Sequence, residues 1–233
     1  MKKIQSTILR AACAVLAAAA IAPAWATVDI QGVPLDETVQ VGGQTLVLNG
    51  AGFRKRGYFK VDVTGLYLAS RATTIDAVEK AQGAKRLELV IQQDISGAQA
   101  SRYFLTDFEA SAQPMEFAQL INEVSLIGNI YSGIRQVKKG DIITMDWIPG
   151  KGMAAALNGT PLVPHGQTVP YINNELLCRV MYRMYIGGKT PAELRDNLLG
   201  VSYSMRDKPP TGQPSVAAAA PAPAAQASAA KGK

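Results

Sequence analysis

Alternating apolar and polar residues predict strands in the first third of the chain. Residues 38–48 (TVQVGGQTLVL) alternate on both sides of Gly42-Gly43, a pair typical of a tight hairpin turn. Residues 58–69 predict a long strand with Val61 and Val63 on its apolar face. The opposite face of that strand carries Tyr58, Lys60, Asp62 and Thr64. Later strands are predicted at 85–93, 141–147 and 152–158, with a hairpin turn at Asn158-Gly159.

Apolar residues at spacings of three and four predict the helices. The clearest case is residues 114–131, where an apolar stripe runs from Phe117 to Tyr131. Ser96 is typical of the N-cap of a helix that extends to Ala112. Further helices are predicted at 74–82, at 174–186 before Gly187-Gly188, and at 191–199 with Thr190 as N-cap.

The order of these elements indicates the fold class. Strands come first, then a pair of helices, then strands, then two more helices. Helices that do not alternate with strands argue against a doubly wound parallel sheet. The sequence therefore predicts an α+β domain, with a large antiparallel sheet covered by helices on one face.

Both ends of the chain differ from this pattern. Residues 1–26 combine a basic start, a short apolar run and Ala24-Trp25-Ala26, which together predict a cleaved secretory signal peptide and a periplasmic protein. Residues 207–233 are rich in proline and alanine, and predict a disordered tail. One domain is expected at 27–206, with no transmembrane segment.

Charge and composition exclude several classes of protein. Of the 24 basic and 18 acidic residues, six basic and one acidic lie in the two end segments, which leaves residues 27–206 near +1. A nucleic-acid partner is therefore not expected. After processing, one histidine (His165) and one cysteine (Cys178) cannot build a His/Cys metal site, so no metal is expected. Cys178 falls in a helical apolar pattern, which favours a core residue over a reactive thiol.

Residues 50–57 carry the one unusual cluster of glycines and cations. Gly50-Ala51-Gly52 is followed by a third glycine two positions too late for a dinucleotide fingerprint, and by a strand instead of a helix, so no cofactor is expected. Arg54-Lys55-Arg56 has two interpretations. It is either a solvated turn, or a glycine turn that aims Arg54 inward, where a buried guanidinium requires an anion.

Two motifs resemble the chalcone isomerase-like family. Residues 48–70 (LNGAGFRKRGYFKVDVTGLYLAS) match its G-A-G-x-R turn and its following strand, which ends in G-x-Y. Residues 170–200 (PYINNELLCRVMYRMYIGGKTPAELRDNLLG) resemble its late helical pair. The resemblance covers 33–201, and the small exported bacterial members are the most similar in appearance.

The resemblance implies an open-faced β-sandwich with an apolar cleft between sheet and helices. In the plant enzymes this cleft cyclises chalcones to flavanones, and the arginine matched by Arg54 holds the substrate oxyanion. Non-catalytic plant relatives bind fatty acids, and there the same arginine and a tyrosine on the next strand take the carboxylate.

The sequence departs from that family pattern at two positions. Asp62 stands where the enzymes have threonine and the lipid binders tyrosine, and the cleft tyrosine of the enzymes would fall near Ala98. Whether the protein is an enzyme is therefore left open, with Arg54 as its one catalytic candidate. If Arg54 and Asp62 both face the cleft, they are expected to form an ion pair. The alternative is that Asp62 pairs with a surface lysine.

Three hypotheses follow for the function. The first is a non-catalytic binder of a fatty acid or similar small amphipathic acid, monomeric or weakly oligomeric, with ligand-binding residues Arg54, Asp62, Thr64 and Tyr58. The second is an isomerase or lyase of unknown substrate that uses Arg54 as oxyanion holder. The third is a structural exported protein without a ligand.

Overall fold

The computed structural model describes residues 27–201. The predicted signal peptide and the predicted tail lie outside these residues. The described strands are β1 (Thr27–Ile30), β2 (Val33–Asp36), β3 (Thr38–Val41), β4 (Gln44–Arg56), β5 (Phe59–Leu68), β6 (Lys85–Ile91), β7 (Ile95–Ser96), β8 (Gln136–Val137), β9 (Ile142–Ile148), β10 (Gly152–Leu157) and β11 (Thr160–Leu162). The helices are α1 (Ile75–Lys80), α2 (Gly97–Ser111), α3 (Pro114–Gln119), α4 (Ile121–Ser132), α5 (Glu175–Ile186) and α6 (Ala192–Leu198).

Among the described residues, seven strands form one antiparallel sheet in the order β11-β10-β9-β6-β5-β4-β3. The helices pack on one face, as the α+β prediction required. Alternation along β5 places Thr64, Leu66 and Leu68 on that face, so polar and apolar residues share it. No helix among residues 27–201 is long and apolar enough to cross a membrane.

Helix α5 is the centre of the core on the helical face. Asn174 caps it, and its side-chain oxygen accepts hydrogen bonds from the backbone N–H groups of Leu176 and Leu177. Most of the helix is buried between the sheet and α2, including the apolar residues Leu177, Val180 and Ile186.

A second apolar cluster covers part of the other face of the sheet. The β1–β2 hairpin contributes Val33 and Leu35, which pack with Val63 and Tyr67 of β5. The sequence pattern did not predict this hairpin, because its strands are only four residues long.

Gly50 and Gly52 do not form the predicted turn. Both lie inside β4, which runs without a break through residues 44–56. They lie under α6, and a Cβ atom on Gly50 would be 2.0 Å from the carbonyl oxygen of Asn197. Gly50 is therefore needed for the close approach of a helix, and an added Cβ on Gly52 would crowd the Asn197 and Leu194 side chains at 3.1 and 3.2 Å. The turn comes later, at Gly57, where φ is +58°.

Asn49 holds α6 against β4 from within the sheet. Its buried side-chain nitrogen donates to the carbonyl oxygens of Ala72 and Leu198, at 2.9 and 2.7 Å. Its side-chain oxygen accepts from the backbone N–H of Ala72 at 2.7 Å. One amide thus joins β4, the loop before α1 and the end of α6.

Two predicted helices differ in detail from the structure. The helix expected over 114–131 is two helices, because Leu120 leaves helical geometry with φ −102° and ψ 10°. The predicted N-cap Thr190 is wrong as well, since Pro191 occupies that position. The Thr190 hydroxyl donates instead to the carbonyl oxygen of Met184 at 3.1 Å.

Candidate ligand-binding cleft

Arg54 and Asp62 form an ion pair on the helical face of the sheet. Antiparallel pairing of β4 with β5 sets the two residues opposite each other. Arg54 Nε donates to Asp62 Oδ2 at 2.8 Å, and Arg54 Nη2 lies 2.7 Å from the same oxygen. Asp62 is fully buried, and its other oxygen accepts a 2.6 Å hydrogen bond from the Thr64 hydroxyl. The ion pair expected from the sequence is present, and Asp62 does not pair with a surface lysine.

The surroundings of Arg54 keep its guanidinium charged. Burial by itself would lower the pKa of Arg54, but the Asp62 carboxylate outweighs it and raises that pKa above its ordinary value. The cation is thus a permanent feature of the site.

A second carboxylate and a second arginine extend the pair into a network. Arg54 Nη1 lies 3.5 Å from Asp107 Oδ2 on α2, a long contact. Arg56 forms an ion pair with the same Asp107 oxygen, and its guanidinium lies over the Tyr103 ring, 4.9 Å from the ring centroid. The two arginines and two aspartates of this network balance in charge. Within it, Arg54 Nη1 makes the longest contact, so this edge of the guanidinium is held less firmly than the edge that faces Asp62.

Two tyrosines join Arg54 at the wall of the cleft. The Arg54 guanidinium carbon lies 5.2 Å from the ring centroid of Tyr185, which is on α5. Tyr131, at the end of α4, lines the same cavity. Burial raises the pKa of Tyr131 to about 12 and also raises that of Tyr185, while Arg54 opposes both shifts. Both hydroxyls therefore stay protonated at neutral pH and can act as hydrogen-bond donors.

An apolar cleft begins at Arg54 and runs between sheet and helices. Its inner part has a volume of about 60 Å³ and adjoins a second part of about 70 Å³ near β10 and β11. Arg54 is the only charged residue among the described residues that line either part. The two parts share five lining residues: Tyr131, Val137, Ile143, Met145 and Met181.

A polar cavity of about 190 Å³ lies on the outer side of Arg54. Its lining includes Lys55, Arg56, Asp107 and Lys189. Arg54 and Met184 line both this outer cavity and the cleft. Arg54 therefore stands between the apolar cleft and the polar surface.

The structure brings together three of the four predicted ligand-binding residues. Arg54, Asp62 and Thr64 are in contact, but Tyr58 lies at the β4–β5 turn with its side chain fully exposed. Lys60 was expected on the face of Asp62 and is not there. A β-bulge shifts the register after the Arg54–Asp62 pair, so the Lys60 ammonium lies 4.0 Å from the Phe53 ring centroid, against the second cluster.

Sequence reasoning missed Tyr103, Asp107, Tyr131 and Tyr185. The cleft tyrosine of the plant enzymes would fall near Ala98, at the start of α2. The same helix instead places Tyr103 in the lining of the cleft, about one turn later. Tyr131 and Tyr185 each continue an apolar helical stripe, and that spacing was the available signal. Asp107 carried no signal, because its role depends on how α2 packs near β4.

Other candidate residues do not join the cleft. His165 is exposed in the loop after β11, and Cys178 is buried in the core, where burial raises its pKa to about 12. Within residues 27–201, no group of three or more His, Cys, Asp or Glu side chains is arranged to hold a metal ion.

The comparisons with known proteins agree with this architecture. The chain belongs to the chalcone isomerase-like family, whose model matches residues 27–200. Among solved structures, a fatty-acid binding protein of Arabidopsis thaliana is similar, with a TM-score of 0.62 and 15% sequence identity. That match covers 75% of this chain and 96% of the plant protein, and at this identity it shows a shared fold. A search of curated proteins found no match.

Proposed function

We propose that the protein is an exported, non-catalytic binder of a fatty acid or a similar small amphipathic acid. The observation that carries the proposal is the cleft itself, an apolar passage with one charged residue, Arg54, at its end. Apolar walls supply affinity, and a single placed cation orients an anionic head group. The plant protein of the same fold is named for fatty-acid binding, which supports this ligand class.

The head group would bind where Arg54 meets the two tyrosines. The Nη1 edge of Arg54 makes only a 3.5 Å contact with Asp107, so it can turn to a ligand carboxylate without breaking the pair with Asp62. The hydroxyls of Tyr131 and Tyr185 can serve as neutral hydrogen-bond donors, and both residues line the cleft. The ligand carboxylate would then accept a charge-assisted hydrogen bond from Arg54 and neutral hydrogen bonds from the two tyrosine hydroxyls.

The acyl chain would occupy the apolar parts of the cleft. Their volumes, about 60 and 70 Å³, are small, since a cavity of roughly 150 Å³ holds a benzene-sized ligand. Binding of a long chain therefore requires side chains to move. Met145, Met181 and Met184 line the inner part, and methionine is flexible and adaptable in such positions.

Export forms part of the proposal and rests on residues 1–26. Cleavage after Ala26 would release a chain that begins Thr27-Val28, because Ala24 and Ala26 are the small residues a signal peptidase requires. N-terminal sequencing of the protein recovered from the periplasm tests this. A start more than a few residues away from Thr27 would contradict the proposed boundary.

Native mass spectrometry of protein purified from its own cells tests the ligand. We expect a co-purifying fatty acid on the unsubstituted protein and its loss in Arg54→Ala. The matched control is Arg86→Ala, which breaks a bidentate ion pair with Asp146 that lies away from the cleft. A protein that neither carries a lipid nor binds a fluorescent fatty acid saturably would instead support a structural role.

A second candidate function is an isomerase or lyase with Arg54 as oxyanion holder. Tyr131 and Tyr185 favour it, since they bring hydroxyl groups to the cleft from positions other than those of the plant enzymes. We nevertheless expect negligible chalcone isomerase activity, because the Asp62 carboxylate beside Arg54 repels a substrate phenolate. Rapid turnover of naringenin chalcone that Arg54→Ala abolishes would overturn the non-catalytic proposal.

A further inference from the structure

The turn between β4 and β5 exposes two large aromatic side chains. We call residues 55–60 (KRGYFK) the hairpin tip. Tyr58 is fully exposed, and Phe59 is 67% exposed. Gly57 has φ +58°, which lets the tip turn tightly and present both aromatic residues next to each other. Exposed aromatic residues of this size, adjacent in one turn, are a candidate contact surface.

The hairpin tip carries cations and no acidic residue. Lys60 bonds to the neutral amide of Gln31, at 2.8 Å. Lys55 is half-exposed and pairs with Glu193, whose side chain is 71% exposed, so solvent screens that pair strongly. Arg56 is held by Asp107. Two lysines thus flank the aromatic pair with charge available to an anionic surface.

The hairpin tip adjoins the outer side of the candidate cleft. Lys55 and Arg56 belong both to the tip and to the wall of the outer cavity, where Lys189 adds another cation. Arg54, which separates this cavity from the cleft, directly precedes the tip. A surface bound by the tip would therefore lie beside the polar end of the cleft.

We infer that the hairpin tip docks on an anionic lipid bilayer. Aromatic side chains settle at the headgroup level of membranes, and neighbouring lysines are attracted to anionic lipids. A protein partner fits less well, since a stable interface buries roughly 800 Å² on each side and the tip offers two aromatic residues. The docking does not depend on the proposed ligand. If the cleft binds fatty acids, docking places the polar end of the cleft next to the bilayer that supplies them.

A tryptophan placed at the hairpin tip tests the docking locally. Tyr58→Trp in the full-length chain is mixed with phosphatidylglycerol vesicles, and the emission of the unsubstituted chain, from Trp25 and Trp147, is subtracted. We expect a blue shift of the remaining emission and quenching by brominated acyl chains. Phosphatidylcholine vesicles and added salt should weaken both. The control is Thr45→Trp, an exposed position at the opposite end of β4, which should show neither.

This local readout separates tip docking from general adsorption of the chain to vesicles, which would shift the emission equally at positions 58 and 45. No blue shift for Tyr58→Trp with phosphatidylglycerol at low salt, or an equal shift for Thr45→Trp, would overturn the inference. So would a blue shift that grows with protein concentration in the absence of vesicles, because that reports contact between copies of the chain.

Charge reversal provides a second test. Lys55→Glu with Lys60→Glu should weaken binding to phosphatidylglycerol vesicles by at least about tenfold, since each basic residue near an anionic surface adds measurable attraction. Lys80→Glu with Lys151→Glu changes the net charge equally at exposed positions outside the tip. If this control weakens binding as much as the tip variant, the attraction is general and the inference fails.

Discussion

Arg54 donates through Nε to Asp62 Oδ2 at 2.8 Å, and Asp62 has no exposed surface. The cation at the end of the cleft is therefore already neutralised within the protein. A ligand carboxylate must share Arg54 with Asp62, and this competition lowers its affinity. The same pair holds the guanidinium in one position, which orients whatever binds.

Asp62→Asn should tighten the binding of a fatty acid by about tenfold, or roughly 1.4 kcal/mol. Asparagine keeps the shape of the side chain and can still accept from Arg54, but it removes the competing negative charge. Titration with a fluorescent fatty acid measures the change. Asp146→Asn, which disturbs the Arg86 pair away from the cleft, should leave the affinity unchanged. Equal affinities for Asp62→Asn, Arg54→Ala and the unsubstituted protein would remove this end of the cleft from ligand binding.

Arg54→Met should destabilise the fold by about 3–5 kcal/mol, because it leaves the buried Asp62 carboxylate without a counter-ion. Urea unfolding followed by circular dichroism gives the free energy. Adding Asp62→Asn to Arg54→Met should recover a large part of the loss, since the stranded charge is then absent. A double variant no more stable than Arg54→Met would mean that packing, not charge, is lost with Arg54.

Gly50→Ala should destabilise the protein by about 1–3 kcal/mol or more, since its Cβ would overlap the backbone of α6. Gly128→Ala is the control in α4, where an added Cβ meets no atom within 4 Å. That substitution should be neutral or stabilise by about 0.5–1 kcal/mol. Thermal unfolding compares the two variants, and a stable Gly50→Ala would contradict the close packing of α6 on β4.

Cys178 should resist thiol reagents in the native protein at pH 8. Burial raises its pKa to about 12, so roughly one thiol in ten thousand is ionised at that pH, and the thiolate is the reactive form. Ellman's reagent should react fully only after denaturation, and faster in the native state as pH rises. The measurement uses Cys13→Ser, so that Cys178 is the one thiol. Prompt native reaction at pH 8 would show that the core opens there.

Long periodic segments let the sequence predict much of the fold. The alternation of β5 from Val61 onward, the N-cap Ser96 and the helix predicted at 174–186 correspond closely to the observed elements. The break at Leu120 and the glycines of β4 could not be read in the same way. The role of the glycines depends on a helix distant in sequence, because a glycine in a strand and a glycine in a turn look alike until the packed helix is known.

The candidate site was predictable only in part, for the same physical reason. Arg54 and Asp62 lie opposite each other on adjacent paired strands, and the family resemblance had pointed to both positions. The other contributors, Asp107, Tyr131 and Tyr185, come from three helices whose packing decides which side chains reach Arg54. The β-bulge adds one residue to β5 and turns Lys60 away from the face of Asp62. No residue type in the sequence marks the position of this bulge.

The hydrogen bond from Asn49 to Leu198 spans 149 residues of sequence. Its buried amide finds its acceptors only when the last helix of the domain has arrived, so β4 cannot complete its packing early. Contacts of such long range slow folding, because the chain between them must be ordered before they form. A polypeptide still emerging from the ribosome therefore lacks α6, the helix that covers β4 at Gly50.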